Sequence, residues 1–365
     1  MTDTPLATKL KARIARDGPL GVADYMEACL GDPEHGYYRR RPAIGAGGDF
    51  VTAPEISQVF GELIGLWCAV VWQQMGSPPR VNLVELGPGR GTLMRDALRA
   101  TRVVPGFRNA LSVHLVDSNA TLRETQATTL ADAGVPVTFH EDAQDARLPD
   151  GPTLLVANEF LDALPITQVV FVGGQWCMRH VTIADDGGFV FVADAASGPA
   201  PVAARSGPTP QEGDVLEVCA HHARLAETLL APRAARGPLA ALFIDYGHAA
   251  TAFGDTLQGV AGQAHVSPFH APGETDLSAQ VDFEHFAAAC RGAGLLTDGP
   301  SPQAEFLGRL GLIERASRLM AANPARAAEI EAGALRLIQP SGMGSRFLAL
   351  GVHSREVPAL PGLGR

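Results

Sequence analysis

The chain has 365 residues, of which 46% are hydrophobic and 19% are charged, and its formal net charge is −10. This composition suits a globular protein with a substantial core. The acidic balance, with no cluster of Lys and Arg beyond Arg39-Arg40-Arg41, argues against a nucleic-acid-binding surface.

The N-terminus and the cysteines indicate the compartment. No apolar run approaches the roughly 20 residues of a membrane-spanning helix, so we expect no membrane insertion. The first 20 residues lack the apolar core of a secretory signal and carry acids that transit peptides avoid. The five scattered cysteines form no CxxC pair, and the two Cys-x-x-His spacings make poor metal sites, so we expect no metal. A bacterial cytoplasmic location follows as an expectation.

Two stretches in the first 80 residues, 5–30 and 54–75, have apolar positions at helical spacing, and the Gly-rich residues 35–50 between them predict an ordered loop.

From residue 81, short β-branched runs alternate with helical stretches. The runs cover 81–86, 111–117, 135–140 and 152–158, and helices are expected at 93–99 and 122–133. This alternation predicts a doubly wound α/β core whose parallel sheet is covered on both faces.

After Pro165, alternating runs separated by Gly-Gly and Asp-Asp-Gly-Gly predict inserted β-hairpins, followed by a Pro- and Gly-rich connection over 195–214. The core resumes with a strand at 238–248, helices at 283–293 and 304–322, and a strand at 346–352. We therefore expect an N-terminal helical segment over residues 1–80 that covers the active site. Residues 81–365 then form the core, with an insertion at about 166–236.

Three glycines at alternate positions follow the first strand, in the sequence Glu85-Leu-Gly-Pro-Gly-Arg-Gly91, and a helix comes next. Glycine permits positive φ and close approach of the backbone, and a helix N-terminus offers free N–H groups. The run lacks the Lys of a phosphate-binding Walker loop, and Thr92 stands where the dinucleotide fingerprint needs its third glycine. The acid-x-Gly-x-Gly-x-Gly form is found in class I S-adenosylmethionine (SAM) methyltransferases.

Acids at the next strand ends fit the same ligand, which carries positive charge and no phosphate. Asp117 ends the second strand and suits ribose hydroxyls, or alternatively caps the following helix. Asp142 follows the third strand and suits an adenine amino group, or alternatively lies in a solvated turn. We assign these residues to the cofactor: Glu85, Gly87, Gly89, Gly91, Asp117, Asp142 and Asn158.

The fourth strand opens into Asn158-Glu159-Phe-Leu-Asp162-Ala-Leu-Pro165, which places two carboxylates three residues apart. Methyltransferases that act on nucleic-acid bases usually carry Asn/Asp-Pro-Pro-Tyr/Phe here. Paired carboxylates suit a guanidinium, because they bind its planar fork and offset its repulsion from the sulfonium. The alternative is that Glu159 and Asp162 start or cap a helix.

Six blocks carry a family resemblance: GDFVTAPEISQVFGELIGLW (48–67), VELGPGRGTLMRDALR (84–99), NEFLDALP (158–165), DYGH (245–248), PGETDLSAQVDF (272–283) and PSGMGSRF (340–347). In these blocks the chain resembles the MidA-type protein arginine methyltransferases, whose mitochondrial members assist assembly of respiratory NADH dehydrogenase. The resemblance implies a Rossmann-like class I methyltransferase core with helical and hairpin additions. It implies SAM as cofactor and, as partner, a protein that presents an arginine, with a respiratory NADH dehydrogenase subunit as the expected one.

Carried over by position, the glycines and Asp117 hold the cofactor, and Glu159 and Asp162 face the substrate as catalytic residues. Glu55, in the first block, joins the catalytic set near the same cleft, or alternatively only complements a helix dipole. Family members often carry Asp at position 267 and His at position 280, where this chain has Ser267 and Gln280. These two departures leave the role of residues 265–283 open.

Alternatives remain at the level of the sequence. Asp245, Tyr246 and His248 either complete the floor of the pocket or satisfy a strand end. The substrate is alternatively another protein side chain or a small molecule. In a third interpretation, the chain is an assembly chaperone that binds SAM without turnover.

Overall fold

The computed structural model describes residues 3–40, 52–142, 148–194 and 209–364. The α-helices are α1 (Pro5–Asp17), α2 (Val22–Gly31), α3 (Tyr37–Arg40), α4 (Ala53–Ile56), α5 (Gln58–Gln74), α6 (Thr92–Ala100), α7 (Pro105–Ala110), α8 (Ala120–Thr129), α9 (Ala220–Leu225), α10 (Ala231–Ala234), α11 (Phe283–Gly292), α12 (Gln303–Arg309), α13 (Leu312–Ala322) and α14 (Ala327–Ile338). The strands are β1 (Leu20–Gly21), β2 (Val81–Leu86), β3 (Leu111–Val116), β4 (Val137–His140), β5 (Thr153–Asn158), β6 (Thr167–Val172), β7 (Gln175–Ile183), β8 (Phe189–Asp194), β9 (Val215–Val218), β10 (Leu239–His248), β11 (Gln258–Ala261), β12 (Ala264–Val266), β13 (Asp276–Ser278), β14 (Val281–Asp282), β15 (Leu296–Pro302) and β16 (Phe347–His353). A π-helical turn, Ala226–Leu230, joins α9 to α10.

Eight strands of the described chain form the central sheet, in the order β15-β16-β10-β5-β2-β3-β4, with β14 paired to the end of β10. The strands from β4 to β10 run parallel, and β16 is antiparallel to both of its neighbours. Every residue of β2 and β5 is buried, as expected for parallel strands covered on both faces. The order reverses between β2 and β5, which places a crevice at their carboxyl ends. The predicted doubly wound α/β class is confirmed.

Helices cover both faces of this sheet. On one face, α5, α6 and α12 to α14 form a cluster that includes Trp67, Leu93 and Phe306. On the other face, α11 and the π-helical turn pack on β10 and β16. A Cβ on Gly65 of α5 would lie 2.6 Å from the backbone of Ala97 in α6. The close approach of these two helices therefore requires glycine, and it places α6 directly behind the glycine turn.

The inserted hairpins form a second sheet, in the order β1-β7-β6-β9 with β8 paired to β7. Its strand β1 comes from the N-terminal segment, and Leu20 lies opposite Val181. A third hydrophobic cluster joins α1 and α2 to this sheet and to the small sheet of β11, β12 and β13. The N-terminal 80 residues thus contribute to two clusters, α1 and α2 to the third and α5 to the first.

Several predicted elements differ in the structure. The helix expected over 304–322 is two helices, because Gly311 adopts φ +86° between α12 and α13. The helix α14, the strand β15 and the β11–β13 sheet were not predicted. Most of the expected connection over 195–214, and residues 41–50 of the expected loop, lie outside the described residues. In the described chain, no helix combines the length and apolar character needed to cross a membrane.

Candidate active site

The glycine turn connects β2 to α6 at the crevice. Gly87, Gly89 and Gly91 have φ values of +64°, +51° and +80°, in the left-handed region that other residues rarely adopt. The Gly87 amide donates to the Val116 carbonyl at 3.0 Å, which holds the turn against β3. A Cβ on Gly87 would lie 3.2 Å from the ring of Phe160. Backbone therefore forms the surface at the carboxyl end of β2.

Two cavities meet at this turn and share Gly87, Gly89 and Glu159 in their walls. The larger one, of about 350 Å³, extends to the ends of β3 and β4, where Asp117 and Asp142 line it. The described lining residues of this cavity include acids and no Lys or Arg. A ligand with hydroxyl or amino donors and without phosphate suits such walls.

Asp117 is held by the protein through both carboxylate oxygens. Its Oδ1 accepts from the Asn119 amide at 2.9 Å, and its Oδ2 accepts from Gln126 Nε2 at 2.9 Å. Gln126 also donates to the Gly89 carbonyl at 2.8 Å, which ties the acid to the glycine turn. Burial raises the pKa of Asp117 to about 6. The helix cap of α8 is Asn119, whose side chain accepts from Leu122, so the alternative of Asp117 as a cap is wrong.

The smaller cavity, of about 30 Å³, lies between the glycine turn and α4. Glu85 and Asn158 line it, and Glu85 Oε2 and Asn158 Oδ1 are buried without a hydrogen-bond partner among the described residues. Burial, followed by repulsion from Asp117, raises the pKa of Glu85 to about 8. Glu55 lines the same cavity and accepts from the Thr92 hydroxyl at the start of α6. The structure thus places Glu55 beside the glycine turn.

The turn after β5 carries the predicted acid pair. Glu159 adopts φ +51°, and its Oε1 accepts from the Ala53 amide and from Asn158 Nδ2, both at 3.0 Å. Burial raises the pKa of Glu159 to about 7 and that of Asp162 to about 6. The Tyr246 hydroxyl lowers the pKa of Asp162 and so offsets part of its shift. No helix follows this turn before β6 begins, so the alternative that these acids cap a helix is wrong.

Three residues at this site were not assigned from the sequence. Gln126 bridges Asp117 and the glycine turn. Tyr38 lines the larger cavity, and its hydroxyl donates to Asp276 at 3.0 Å. Asp245, which the sequence left between two roles, accepts from three backbone amides of the acid-bearing turn. Only the DYGH block pointed to Asp245, and no sequence signal pointed to Gln126.

Residues 63–301 match the family described as "Putative S-adenosyl-L-methionine-dependent methyltransferase". The chain belongs to this family. It is similar to protein arginine methyltransferase NDUFAF7 homolog, mitochondrial, of Drosophila melanogaster, with 36% identity over 94% of this chain and 83% of that protein. The Homo sapiens protein arginine methyltransferase NDUFAF7, mitochondrial, is 35% identical over 96% of this chain and 84% of its own length.

A solved structure agrees with this assignment. A superfamily member from Burkholderia thailandensis, bound to S-adenosyl-homocysteine, aligns with a TM-score of 0.84 and 28% identity, covering 99% of this chain and 97% of that one. The enzyme is therefore a methyltransferase with SAM as its cofactor, and the predicted family, fold and cofactor are confirmed.

Proposed function

We propose that the enzyme methylates a guanidinium nitrogen of an arginine in a protein partner. The observation that carries the proposal is the acid pair on one turn, at the end of the strand beside the glycine turn. Relatives covering most of the chain are named protein arginine methyltransferases, which supports the same substrate class. The alternatives are another protein side chain or a small molecule as the substrate, and a chaperone that binds SAM without turnover.

The two cavities fit the cofactor, and we assign residues to it on that basis. Asp117 and Asp142 would receive the ribose hydroxyls and the adenine amino group in the larger cavity. The unpartnered oxygens of Glu85 and Asn158 would receive the ammonium group in the smaller one. Glu55 lines the smaller cavity, so we propose that it lies on the cofactor side of the site, and its catalytic role stays a prediction. When bound, SAM supplies a methyl group on a positively charged sulfur that leaves as a neutral thioether.

Glu159 and Asp162 offset the repulsion between two cations. A guanidinium stays protonated in proteins, and two unit charges about 4 Å apart repel by roughly 4 kcal/mol at an effective dielectric near 20. Glu159 lines both cavities and so lies close to where the sulfonium binds. Asp162 lies three residues along the turn, beside Tyr246. Together they bind the guanidinium fork and orient one nitrogen toward the methyl group.

The same acids also suit the release of a proton. A guanidinium nitrogen that gains a methyl group loses one proton, and a carboxylate near it must receive that proton. An acid with a pKa raised toward neutrality receives a proton better than an exposed carboxylate does. The pKa values of about 7 at Glu159 and about 6 at Asp162 therefore suit either acid to accept this proton.

Two finer assignments belong to the proposal. The relatives are named NDUFAF7 and mitochondrial, and the family resemblance links such proteins to assembly of respiratory NADH dehydrogenase. We propose a subunit of that complex as the protein partner. Cytoplasmic location stays a prediction.

The test is transfer of a labelled methyl group into proteins of a cell lysate, with mass spectrometry to locate it. We expect label on an arginine, and we expect Glu159→Gln and Asp162→Asn to lower single-turnover transfer by about several hundredfold, from roughly 3–4 kcal/mol lost at the transition state. Both variants should keep SAM affinity, because each amide preserves the size of its side chain.

The control is Asp298→Asn, a buried acid on β15 that also accepts from a backbone amide. It should leave transfer unchanged. Label on a lysine, on a carboxyl group or on a small molecule would reject arginine as the substrate. No transfer at all from wild-type enzyme that binds SAM normally would support the chaperone interpretation.

A further inference from the structure

Asp245 lies at the end of β10, with 1% of its surface exposed. Its Oδ2 accepts from the amides of Phe160, Leu161 and Asp162 at 3.0, 2.8 and 3.2 Å. Its Oδ1 accepts from the Tyr246 amide at 2.9 Å. One carboxylate thus binds three consecutive amides of the acid-bearing turn and one amide of its own strand.

These bonds fix the two acids in different surroundings. The Glu159 amide donates to the Ile244 carbonyl at 2.9 Å, so the chain continues the strand pairing up to that residue and then turns at its positive φ. Asp245 binds the next three amides and holds the turn in place. Glu159 thereby reaches the Ala53 amide and the cofactor cavities, while Asp162 lies beside Tyr246. A turn of different shape would not separate the acids in this way.

A carboxylate at this position is unfavourable for folding alone. Burial raises the pKa of Asp245, and the negative charges of Asp162 and Glu159 raise it further. The amides of Asp162 and Tyr246, which donate to the carboxylate, oppose part of that shift. Negative charge at the site becomes favourable when two cations bind there.

We propose that Asp245 is a positioning residue for methyl transfer: it shapes the turn that carries Glu159 and Asp162, and it adds negative charge beneath the paired cations. The assignment of Glu159 and Asp162 as the acceptor-binding acids rests on the proposed function. Asp245 itself touches neither cofactor nor acceptor, and it acts through the turn.

Asp245→Asn tests the proposal, because the amide keeps one acceptor oxygen and removes the charge. Hydrogen exchange at the amides of residues 160–162 should become faster by about tenfold or more, because neutral acceptors bind amides less strongly than charged ones. The single-turnover rate should fall by about 10- to 100-fold, with little change in SAM affinity or in KM for the acceptor. Asp245→Ala should show still faster exchange at these amides and a further fall in the single-turnover rate.

Asp298→Asn is the matched control, since it removes the charge of another buried, amide-binding Asp at the edge of the sheet. Asp298→Asn should leave hydrogen exchange at the amides of residues 160–162 and the single-turnover rate of methyl transfer unchanged. Normal transfer by Asp245→Asn, or unchanged exchange at the three amides, would overturn the proposal. If wild-type enzyme methylates an acceptor other than arginine, the proposed function fails, whereas the ratio of variant to wild-type rate on that acceptor still tests Asp245. If Asp245→Ala does not fold, the results for Asp245→Asn alone decide whether the proposal holds.

Discussion

Asp117 connects the cofactor cavity to the glycine turn through Gln126. Its carboxylate accepts two hydrogen bonds from the protein, and Asp117 lines the larger cavity. We predict that Asp117→Ala lowers SAM affinity by roughly 2–3 kcal/mol, the value of hydrogen bonds to a charged acceptor. Calorimetric titration measures this change. Asp132→Ala, at an exposed acid after α8, should bind normally, and wild-type affinity in Asp117→Ala would remove Asp117 from the cofactor site.

Glu85 makes the stability of the protein depend on pH. Its pKa is raised from 4.5 to about 8, so the folded state binds this proton more tightly than the unfolded state does. The stability linked to Glu85 is therefore fully present below pH 4.5 and is lost as pH rises toward 8.

We predict that Glu85→Gln becomes more stable relative to wild type as pH rises through that window, by about 1.4 kcal/mol per pH unit at most. Chemical denaturation of the ligand-free protein at pH 5, 6, 7 and 8 measures the difference. A constant difference across these values would mean that Glu85 is charged in the folded state throughout. Glu124→Gln, at an exposed residue of α8, should show no such trend.

At the scale of elements, Gly87 in the glycine turn can be compared with Gly76. The comparison separates the effect of backbone strain from the effect of contact with neighbouring atoms. Gly87 and Gly76 both have positive φ, but a Cβ would meet Phe160 at Gly87 and open space at Gly76. We predict that alanine at either position lowers stability by about 1–2 kcal/mol, the cost of a left-handed L-residue. Only Gly87→Ala should also lower SAM affinity, because its Cβ displaces Phe160 in the wall of the cavity. Equal affinity in the two variants would contradict this account.

The elements that were predicted correctly are those with local signals. β2 and β5 are mostly apolar because both of their faces are buried, and the turn after β2 needs glycine for its positive φ. β15 has the sequence LTDGPSP, which carries no strand signal, and it forms a strand because β16 pairs with it. Gly311 ends α12 through a local conformation that helical periodicity did not indicate.

The residues of the site divide in the same way, into those with a local sequence signal and those without one. Residues at strand ends could be placed from the sequence, because the carboxyl ends of parallel strands meet at one edge. Asp245 and Tyr38 reach the site through tertiary contacts, from the next strand of the sheet and from the N-terminal segment. Their partners lie 84 and 238 residues away in the chain, so no local pattern reveals them.

At the scale of the whole molecule, separate parts of the chain meet around the cofactor cavities. α3 contributes Tyr38 to the larger cavity, and α4 is held by Glu159 through Ala53. The N-terminal helices that precede them are fixed by β1 in the inserted sheet. The central sheet contributes the glycine turn and the acids. A ligand that fills both cavities therefore contacts the core and the N-terminal segment at once, and binding should stabilise the entire fold.

We predict that SAM and S-adenosyl-homocysteine raise the melting temperature, whereas NAD does not. A ligand at 100 times its Kd adds about 2.7 kcal/mol, which corresponds to about 3–4 °C for a chain of this size. NAD carries two phosphates, and the larger cavity offers acids without a Lys or Arg among its described lining residues. Thermal denaturation with each ligand measures the shifts, and Asp117→Ala should show a smaller shift with SAM than wild type at the same concentration. A larger shift with NAD than with SAM would mean that the acidic lining does not select against phosphate, and the assignment of Asp117 and Asp142 to an adenosine without phosphate would have to be abandoned.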